Sequence, residues 1–368
     1  MNSLFAGKKN KKSTASQCWD WISSIFSAFI IASLIRWLVV GLYVVVSGSM
    51  EQTLLTGDFV LVSKLHYGAR TPITPLQVPM THRFIPGTKI KAYFDWIQLP
   101  QYRLPGLGKI SRNDIVVFNS IEKKATTPVD LREYWIKRCI ALPGDLLAID
   151  HKQLYINGSL ADLPHTVQYR YFMKTNRIFS KAFFEKAGIK DFSLSTVSDG
   201  KGYYILTTPQ KVAQLRDTLA SSIQSVDPIE EQKGLSNPFI YPWDSSVAWN
   251  KDNFGPLKVP HKGMTIVMDQ VHTCLYKHVI LAFEGKKEVK FVGNSCWIDG
   301  KEVTAYTFCK DYYFCMGDNR DESKDCRFVG FIPEEYIIGK AVMVLASSDK
   351  NKGFFRGMRW NRIFHKIH

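Results

Sequence analysis

Lysine and arginine outnumber aspartate and glutamate 48 to 33 in this chain of 368 residues, a formal net charge of +15 on a composition that is 45% hydrophobic. That is room and apolar content for a membrane anchor plus one large or two modest domains with a real core. The charge suits an anionic membrane surface or nucleic acid, and the lack of any homeodomain-like, zinc-finger or basic-zipper pattern weighs against nucleic acid. None of the seven cysteines forms a C-x-x-C pair, which weighs against zinc, and the odd count leaves at least one thiol free in any disulfide scheme.

Residues 1–17 are polar and basic, with Lys8, Lys9, Lys11 and Lys12, and read as a cytoplasmic tail. Residues 18–38 have the length and apolar character of a transmembrane helix, bracketed by Asp20 and Arg36 and by Trp19, Trp21 and Trp37 at its ends. The lysines ahead of it predict a cytoplasmic N-terminus and an exported bulk. A basic start, an apolar core and a small-x-small end at Ser47-Gly48-Ser49 also describe a cleavable signal peptide, but that apolar region is long for one and carries Arg36.

Beyond Arg36 the β-branched run Val39, Val40, Val44, Val45, Val46 predicts a strand. Strands are also expected at 58–62, 114–118, 133–142 and 154–156, the last before an Asn157-Gly158 hairpin signal. Residues 71–110, rich in Pro and Gly, predict a loop-rich excursion. These elements define a first part of a β core over 39–159. From 160 to 308 helical patches at 180–188 and 209–222 alternate with polar loops, which suggests an inserted α+β domain. The core resumes over 309–346, and 347–368 form a basic, aromatic tail. The expected fold is mainly β, an antiparallel core with one N-terminal transmembrane helix.

Three stretches carry chemistry. Ser47-Gly48-Ser49-Met50 lies where the apolar segment gives way to the domain. A serine hydroxyl needs a base, and the nine histidines offer neither a G-x-S-x-G elbow nor a Ser-His-Asp order. Lys137 is the other option, an amine inside the apolar strand W-I-K-R-C-I-A-L, where an ammonium is costly. Period two puts Trp135, Lys137 and Cys139 on one face and Ile136, Arg138 and Ile140 on the other. The run from Gly317 to Arg327 is dense in carboxylates and arginines and is wedged between two apolar stretches, which favours paired, buried charges over a solvated loop.

In that order the three blocks resemble the motifs of bacterial type I signal peptidases, membrane-bound serine proteases. The matching residues are Ser47-Gly48-Ser49-Met50-Glu51 with Thr53-Leu54 and Gly57-Asp58; Lys137-Arg138 with Pro143-Gly144-Asp145; and Gly317-Asp318-Asn319-Arg320-Asp321 with Ser323, Asp325, Arg327 and Gly330. The resemblance implies Ser49 as nucleophile and Lys137 as general base. It implies an oxyanion hole from the Ser49 N–H and the Ser47 hydroxyl, and Ser323 orienting Lys137. Arg138 would pair with Asp318 and Arg327 with Asp325. Val44, Val45, Met50, Leu54, Trp135 and Ile136 are candidates to line shallow pockets for a signal peptide of an exported preprotein, with small residues at −1 and −3.

The implied partners are that peptide and membrane lipid, with no nucleic acid, no metal and no cofactor, and the implied location is the bacterial inner membrane with the catalytic domain on the outer side. The sequence departs from the family at Gln52 and Val46, often Pro there, at Cys326 for a common Ser, at Asn113 for a Gly, and at Phe328-Val329 for an aromatic pair. A self-cleaving repressor-type Ser/Lys protease and a non-catalytic anchored binding protein are the alternatives.

Overall fold

The structure is a computed structural model that describes residues 14–367 except 79, 80, 82, 122–126, 198–199, 286–287, 294, 350–351 and 353; the basic stretch 1–13 and Lys350 lie outside the described residues. Helix α1 (Thr14–Leu38) is a continuous apolar rod, and its stretch Cys18–Leu38 is long and apolar enough to cross a membrane. Its side chains from Trp19 to Ile25 are exposed, so they have no protein core to face.

The chain then passes directly into β1 (Val40–Val44) and, after a loop that holds the short 3-10 turn Gly48–Met50, β2 (Asp58–Ser63). The described residues of 64–114 form turns and isolated bridges rather than strands, as the Pro and Gly content of this stretch predicts. There follow β3 (Ile115–Asn119), β4 (Tyr134–Ala141), β5 (Leu146–Asp150), β6 (Gln153–Ile156) and β7 (Ser159–Leu160). The Asn157-Gly158 pair turns the chain between β6 and β7 with both residues at positive φ.

Next come β8 (Tyr169–Thr175), α2 (Lys181–Lys186), β9 (Asp191–Val197), β10 (Gly200–Thr207), α3 (Pro209–Thr218) and β11 (Ile223–Pro228). The helix starts are capped as their sequence suggests: Ser180 accepts from Phe183 N and Thr208 from Lys211 N. Then follow β12 (Phe254–Lys258), β13 (Thr265–Val267), α4 (Gln270–Phe283), β14 (Val289–Val292), β15 (Ser295–Ile298), β16 (Lys301–Val303) and β17 (Ala305–Thr307). The chain closes with β18 (Tyr312–Met316), α5 (Cys326–Val329), β19 (Ile332–Pro333), the long β20 (Ile337–Ser347) and, near the end, β21 (His365–Lys366).

The main sheet is antiparallel, in the order β1-β2-β20-β3-β4-β18-β19, with β21 added to β20. It curls: β1 is its edge strand, yet Tyr43 of β1 and Tyr134 of β4 meet edge-on with ring centroids 4.8 Å apart. One apolar cluster (Val45, Met50, Leu54, Val60, Val62, Ile115, Val117, Ile338, Ala341, Val344) fills one side of this sheet. The other side carries a larger cluster built on Val116, Phe118, Cys139, Phe314 and Phe331. Register puts alternate residues of β3 on opposite sides, Val116 opposite Lys137 and Val117 opposite Ile136.

Within the stretch 160–308, residues 169–228 form their own sheet, β11-β8-β10-β9, and their own core around Met173, Phe184, Tyr203 and Val226. Residues 254–308 pack elsewhere. Strand β12 pairs with β5, and Leu275, Tyr276, Val279, Ile280 and Phe283 of α4 join the cluster that holds Phe314. Helix α4 was not expected from the sequence. Its signals are the Asp269 N-cap, whose side chain accepts from His272 N, and the apolar spacing of those five residues.

Candidate active site

Ser49 sits in a single 3-10 turn, Gly48–Met50, just past the end of β1. The strand pair closes through Val45 N to Asp58 O and Gly57 N to Val45 O, each 2.9 Å, so the turn is fixed at its base. Met50 and Leu54 drop into the apolar cluster and are fully buried, which contributes about 1.5–3 kcal/mol per side chain. The backbone around Ser49 is held from across the molecule. Asn319 N donates to Ser49 O at 3.1 Å and Asn319 Nδ2 to Gly48 O at 3.0 Å. Gly317 allows this approach, since a Cβ there would lie 2.5 Å from Ser49 O.

Lys137 lies on β4, buried at 5% exposure, and its Nζ is hydrogen-bonded to Ser49 Oγ at 2.5 Å. Burial lowers the pKa of the amine, because the charged form is the one that loses solvation; Asp325, the largest opposing influence, raises it. The carboxylates nearby are committed to arginines. Arg138, on the same strand, grips Asp318 with Nε at 2.8 Å and Nη2 at 2.7 Å, and its Nη1 donates to Asn113 O at 2.7 Å. Asn113 itself has φ +71, a conformation that glycine or asparagine adopts most readily. Arg327 grips Asp325 in the same two-pronged way, at 3.0 and 2.9 Å, and Gly317 N adds a third donor to Asp325 at 3.1 Å. Burial pushes the Asp325 carboxyl up, and the Arg327 guanidinium, with help from Lys137 and the Gly317 N–H, outweighs it, leaving the pKa below its usual value.

Ser47 Oγ lies 3.3 Å from Ser49 Oγ. Ser323 Oγ is buried beside Gly317 but makes no hydrogen bond among the described residues, so the expected contact with Lys137 is not formed in this structure. The candidate pocket residues divide. Val45, Met50 and Leu54 belong to the core, with Ile136 packed against them, while Val44 is exposed. Trp135 lies on the opposite face of β4, packed with Phe118 at 6.2 Å between ring centroids, because neighbouring residues of a strand point to opposite sides.

Several site residues were not singled out from the sequence. Asn319 was quoted only as part of a motif, with no role, although it holds two carbonyls of the nucleophile turn. Thr53 Oγ1 donates to Asp318 Oδ2 at 2.5 Å, tying that turn to the Arg138–Asp318 pair. Asp58, fully buried, and the partly exposed Arg359 and Arg362 form a further ion-paired group. Among the described residues no group of three or more His, Cys, Asp or Glu side chains could hold a metal ion, and all seven cysteines are unbridged.

A hydroxyl held against a buried amine, at the open edge of a β-sheet and close to a membrane-length helix, is the equipment of a hydrolase acting through a serine. The comparisons with known proteins agree with that class. A family model described as "Signal peptidase, peptidase S26" matches residues 18–210 and 277–346. The chain is 27% identical over 347 residues to Signal peptidase I of Buchnera aphidicola subsp. Acyrthosiphon pisum (strain APS), covering 93% of this chain and 80% of that protein. It is 23% identical over 365 residues to Signal peptidase I of Haemophilus influenzae, covering 98% and 79%. With Signal peptidase I of Rickettsia massiliae it shares 24% over 378 residues, covering 98% and 96%. The chain belongs to the signal peptidase family, peptidase S26, and is a serine endopeptidase. Residues 211–276, from within α3 to within α4, fall outside the family match.

Proposed function

We propose that this enzyme cleaves signal peptides from exported preproteins with Ser49 as nucleophile and Lys137 as its general base. The observation that carries the reading is the 2.5 Å contact between Lys137 Nζ and Ser49 Oγ inside a buried pocket whose carboxylates are turned to arginines. Neutral Lys137 takes the hydroxyl proton as Ser49 Oγ attacks the scissile carbonyl carbon. The oxyanion is met by the Ser49 N–H and the Ser47 hydroxyl. Lys137 then returns the proton to the leaving amine as the C–N bond breaks, and the same amine activates the water that hydrolyses the acyl-enzyme ester.

The peptide lies extended along the free edge of β1, which is hydrogen-bonded only to β2, so backbone pairing supplies affinity and side-chain fit supplies selectivity for small residues at −1 and −3. Val44 and Ile136 are the candidate lining residues nearest that edge with surface to offer. The helix Cys18–Leu38 anchors the chain in a bacterial inner membrane, with Lys8, Lys9, Lys11 and Lys12 on the cytoplasmic side and the catalytic domain outside.

The test uses the full chain in detergent and a synthetic precursor peptide. One bond should be cut, after a small residue, and Ser49→Ala should remove the activity. Turnover by Ser49→Ala at the wild-type rate overturns the assignment. A C-terminal reporter enzyme should be active only outside the cytoplasm; activity inside reverses the proposed orientation.

A further inference from the structure

Asp58 begins β2 and is completely buried, at 0% exposure. A buried carboxylate needs compensation, and what it finds comes from the far end of the chain. Arg362 donates from Nε to Asp58 Oδ1 at 3.1 Å and from Nη2 to Asp58 Oδ2 at 2.5 Å. Arg359 Nη1 stands 4.0 Å from Asp58 Oδ1. Leu55 N supplies a third donor to Asp58 Oδ2, at 2.8 Å. The same two arginines hold backbone carbonyls of the loop that follows Ser49. Arg362 Nη2 donates to Thr53 O at 3.0 Å, and Arg359 Nη1 donates to Thr56 O at 2.9 Å and to Ser347 Oγ at 3.0 Å. The backbone adds two more ties, Ser348 N to Gly57 O at 3.0 Å and Arg359 N to Ser347 O at 2.9 Å.

Gly57 shows how close this packing is: it has φ +92, and a Cβ there would collide with the Ser348 carbonyl. Thr53 is therefore held from both sides. Its carbonyl is bound by Arg362, and its hydroxyl by Asp318, the partner of the arginine next to Lys137. Between the buried anchors Met50 and Asp58 the loop is otherwise held by Leu54 in the core, by Gly57 N to Val45 O, by the Thr53–Thr166 and Gln52–Gln168 side-chain contacts and by the Glu51–Lys190 pair at its surface.

We infer that the C-terminal segment is a clasp on the nucleophile loop, with Arg362 and Arg359 acting through Asp58 and the Thr53 and Thr56 carbonyls to hold Ser49 against Lys137. They are positioning residues: neither is placed to touch the peptide. The role follows from geometry. Ser49 Oγ and Lys137 Nζ sit on different elements, so the 2.5 Å between them depends on the loop from Ser49 to Asp58 as well as on the Asn319 contacts to Gly48 and Ser49. A reacting group displaced by about 1 Å loses on the order of a hundredfold in rate. A loosened turn also admits water to Lys137, whose neutral form depends on burial.

This inference rests on the Ser49–Lys137 reading, and the experiment separates the two. The full chain in detergent is assayed on a precursor peptide over a range of pH as wild type, Ser49→Ala, Arg362→Ala, Arg362→Lys, Asp58→Asn/Arg362→Gln and, as an exposed control in the same segment, Lys366→Ala. Arg362→Ala should lose about ten- to a hundredfold in kcat with KM little changed. Its kcat/KM inflection should move up toward that of free lysine. Arg362→Lys should recover part of the loss, and millimolar methylguanidinium should partly restore Arg362→Ala, because it returns the missing group to its cavity.

The double variant removes both charges together, so it folds without an unpaired buried ion, yet it should still be slow. Lys366→Ala should behave as wild type. Arg362→Ala or the double variant with wild-type kcat and an unmoved inflection overturns the clasp, as does a loss of rate that only tracks the folded fraction and is not rescued. Activity in Ser49→Ala overturns the catalytic reading instead.

Discussion

Lys137 Nζ meets Ser49 Oγ at 2.5 Å in a pocket whose carboxylates are paired with arginines: Asp318 faces Arg138 and Asp325 faces Arg327. Lys137→Arg should therefore be inactive, since a guanidinium keeps its proton in a protein and cannot serve as a base. Lys137→Met should be equally inactive for the same chemical reason, yet it should melt no lower than wild type. The pKa of Lys137 is lower in the folded chain than in the unfolded one. Burial thus penalises the folded ammonium, and between the folded and the unfolded pKa the unfolded state binds more protons, so stability rises with pH across that interval. Replacing the amine with an isosteric apolar chain takes away that penalty and the associated rise of stability with pH. Peptide turnover and thermal melting at neutral and alkaline pH check both statements; near wild-type turnover by Lys137→Arg would sink the base assignment.

Ser323 poses a different test. Its hydroxyl is buried with no hydrogen-bond partner among the described residues. A buried unsatisfied hydroxyl destabilises by about 1–3 kcal/mol, so Ser323→Ala should be as stable as wild type or more so. If Ser323 orients the lysine once substrate is bound, the same change removes one hydrogen bond of about 1 kcal/mol from the reacting complex and should lower kcat roughly fivefold to tenfold. A stable Ser323→Ala enzyme with unchanged kcat at every pH would leave Ser323 no part in orienting Lys137.

The legible parts of this molecule are those where neighbouring residues carry the signal. The β-branched run after Arg36 becomes β1, and the carboxylate-arginine loop lies between β18 and α5 because flanking apolar strands leave buried charge no choice but pairing. Helix α4 was hidden in a stretch whose surroundings read as polar loop, although Asp269 and the spacing from Leu275 to Phe283 describe it. Trp135 and Ile136 were named together as pocket candidates, although the period-two reading of that strand already put them on opposite faces, and the pleat of β4 keeps them there. Asp58 and Arg362 illustrate the limit most clearly. They stand 304 residues apart, and nothing local to the basic tail says that two of its arginines turn inward to a buried carboxylate rather than outward to a membrane. The pairing of β21 with β20 and the backbone ties of Ser348 to Gly57 and of Arg359 to Ser347 bring them together.

Arg327 and Asp325 should govern behaviour in acid. Both are buried, and the carboxyl pKa is held below its ordinary value by the guanidinium despite burial. A depressed carboxyl contributes stability that is fully present above its unfolded pKa, about 3.9, and is lost as pH falls through the lower folded value. The wild-type enzyme should lose melting temperature below about pH 4, where unfolded aspartate takes up protons. Asp325→Asn should flatten that dependence. It should also destabilise at neutral pH by about 3–5 kcal/mol, the typical effect of leaving one partner of a buried pair uncompensated. Melting curves across acidic pH check the slope. An Asp325→Asn chain as stable as wild type at pH 7 would mean that the pair does not support the loop.

The pH dependence of catalysis gives the sharpest test of the dyad. Only molecules with neutral Lys137 can accept the Ser49 proton, so kcat/KM on a peptide without titrating groups should rise with pH along one ionisation and then level off. The inflection belongs to the free enzyme's lysine and should lie below the ordinary lysine value of about 10.4, because burial disfavours the ammonium. Asp325 is the largest influence working against that shift, since its negative charge favours the protonated amine. Removing the charge should therefore move the inflection further down. Folded Asp325→Asn enzyme should reach its plateau at lower pH than wild type, even though less of it is folded. The two effects are separable, because the inflection is read from the shape of the profile and the folded fraction from its height. A histidine base would instead place the inflection near 6.5 and leave it indifferent to Asp325. That outcome, in a full-length enzyme whose Ser49→Ala variant is inactive, would keep the nucleophile and reject Lys137 as its partner.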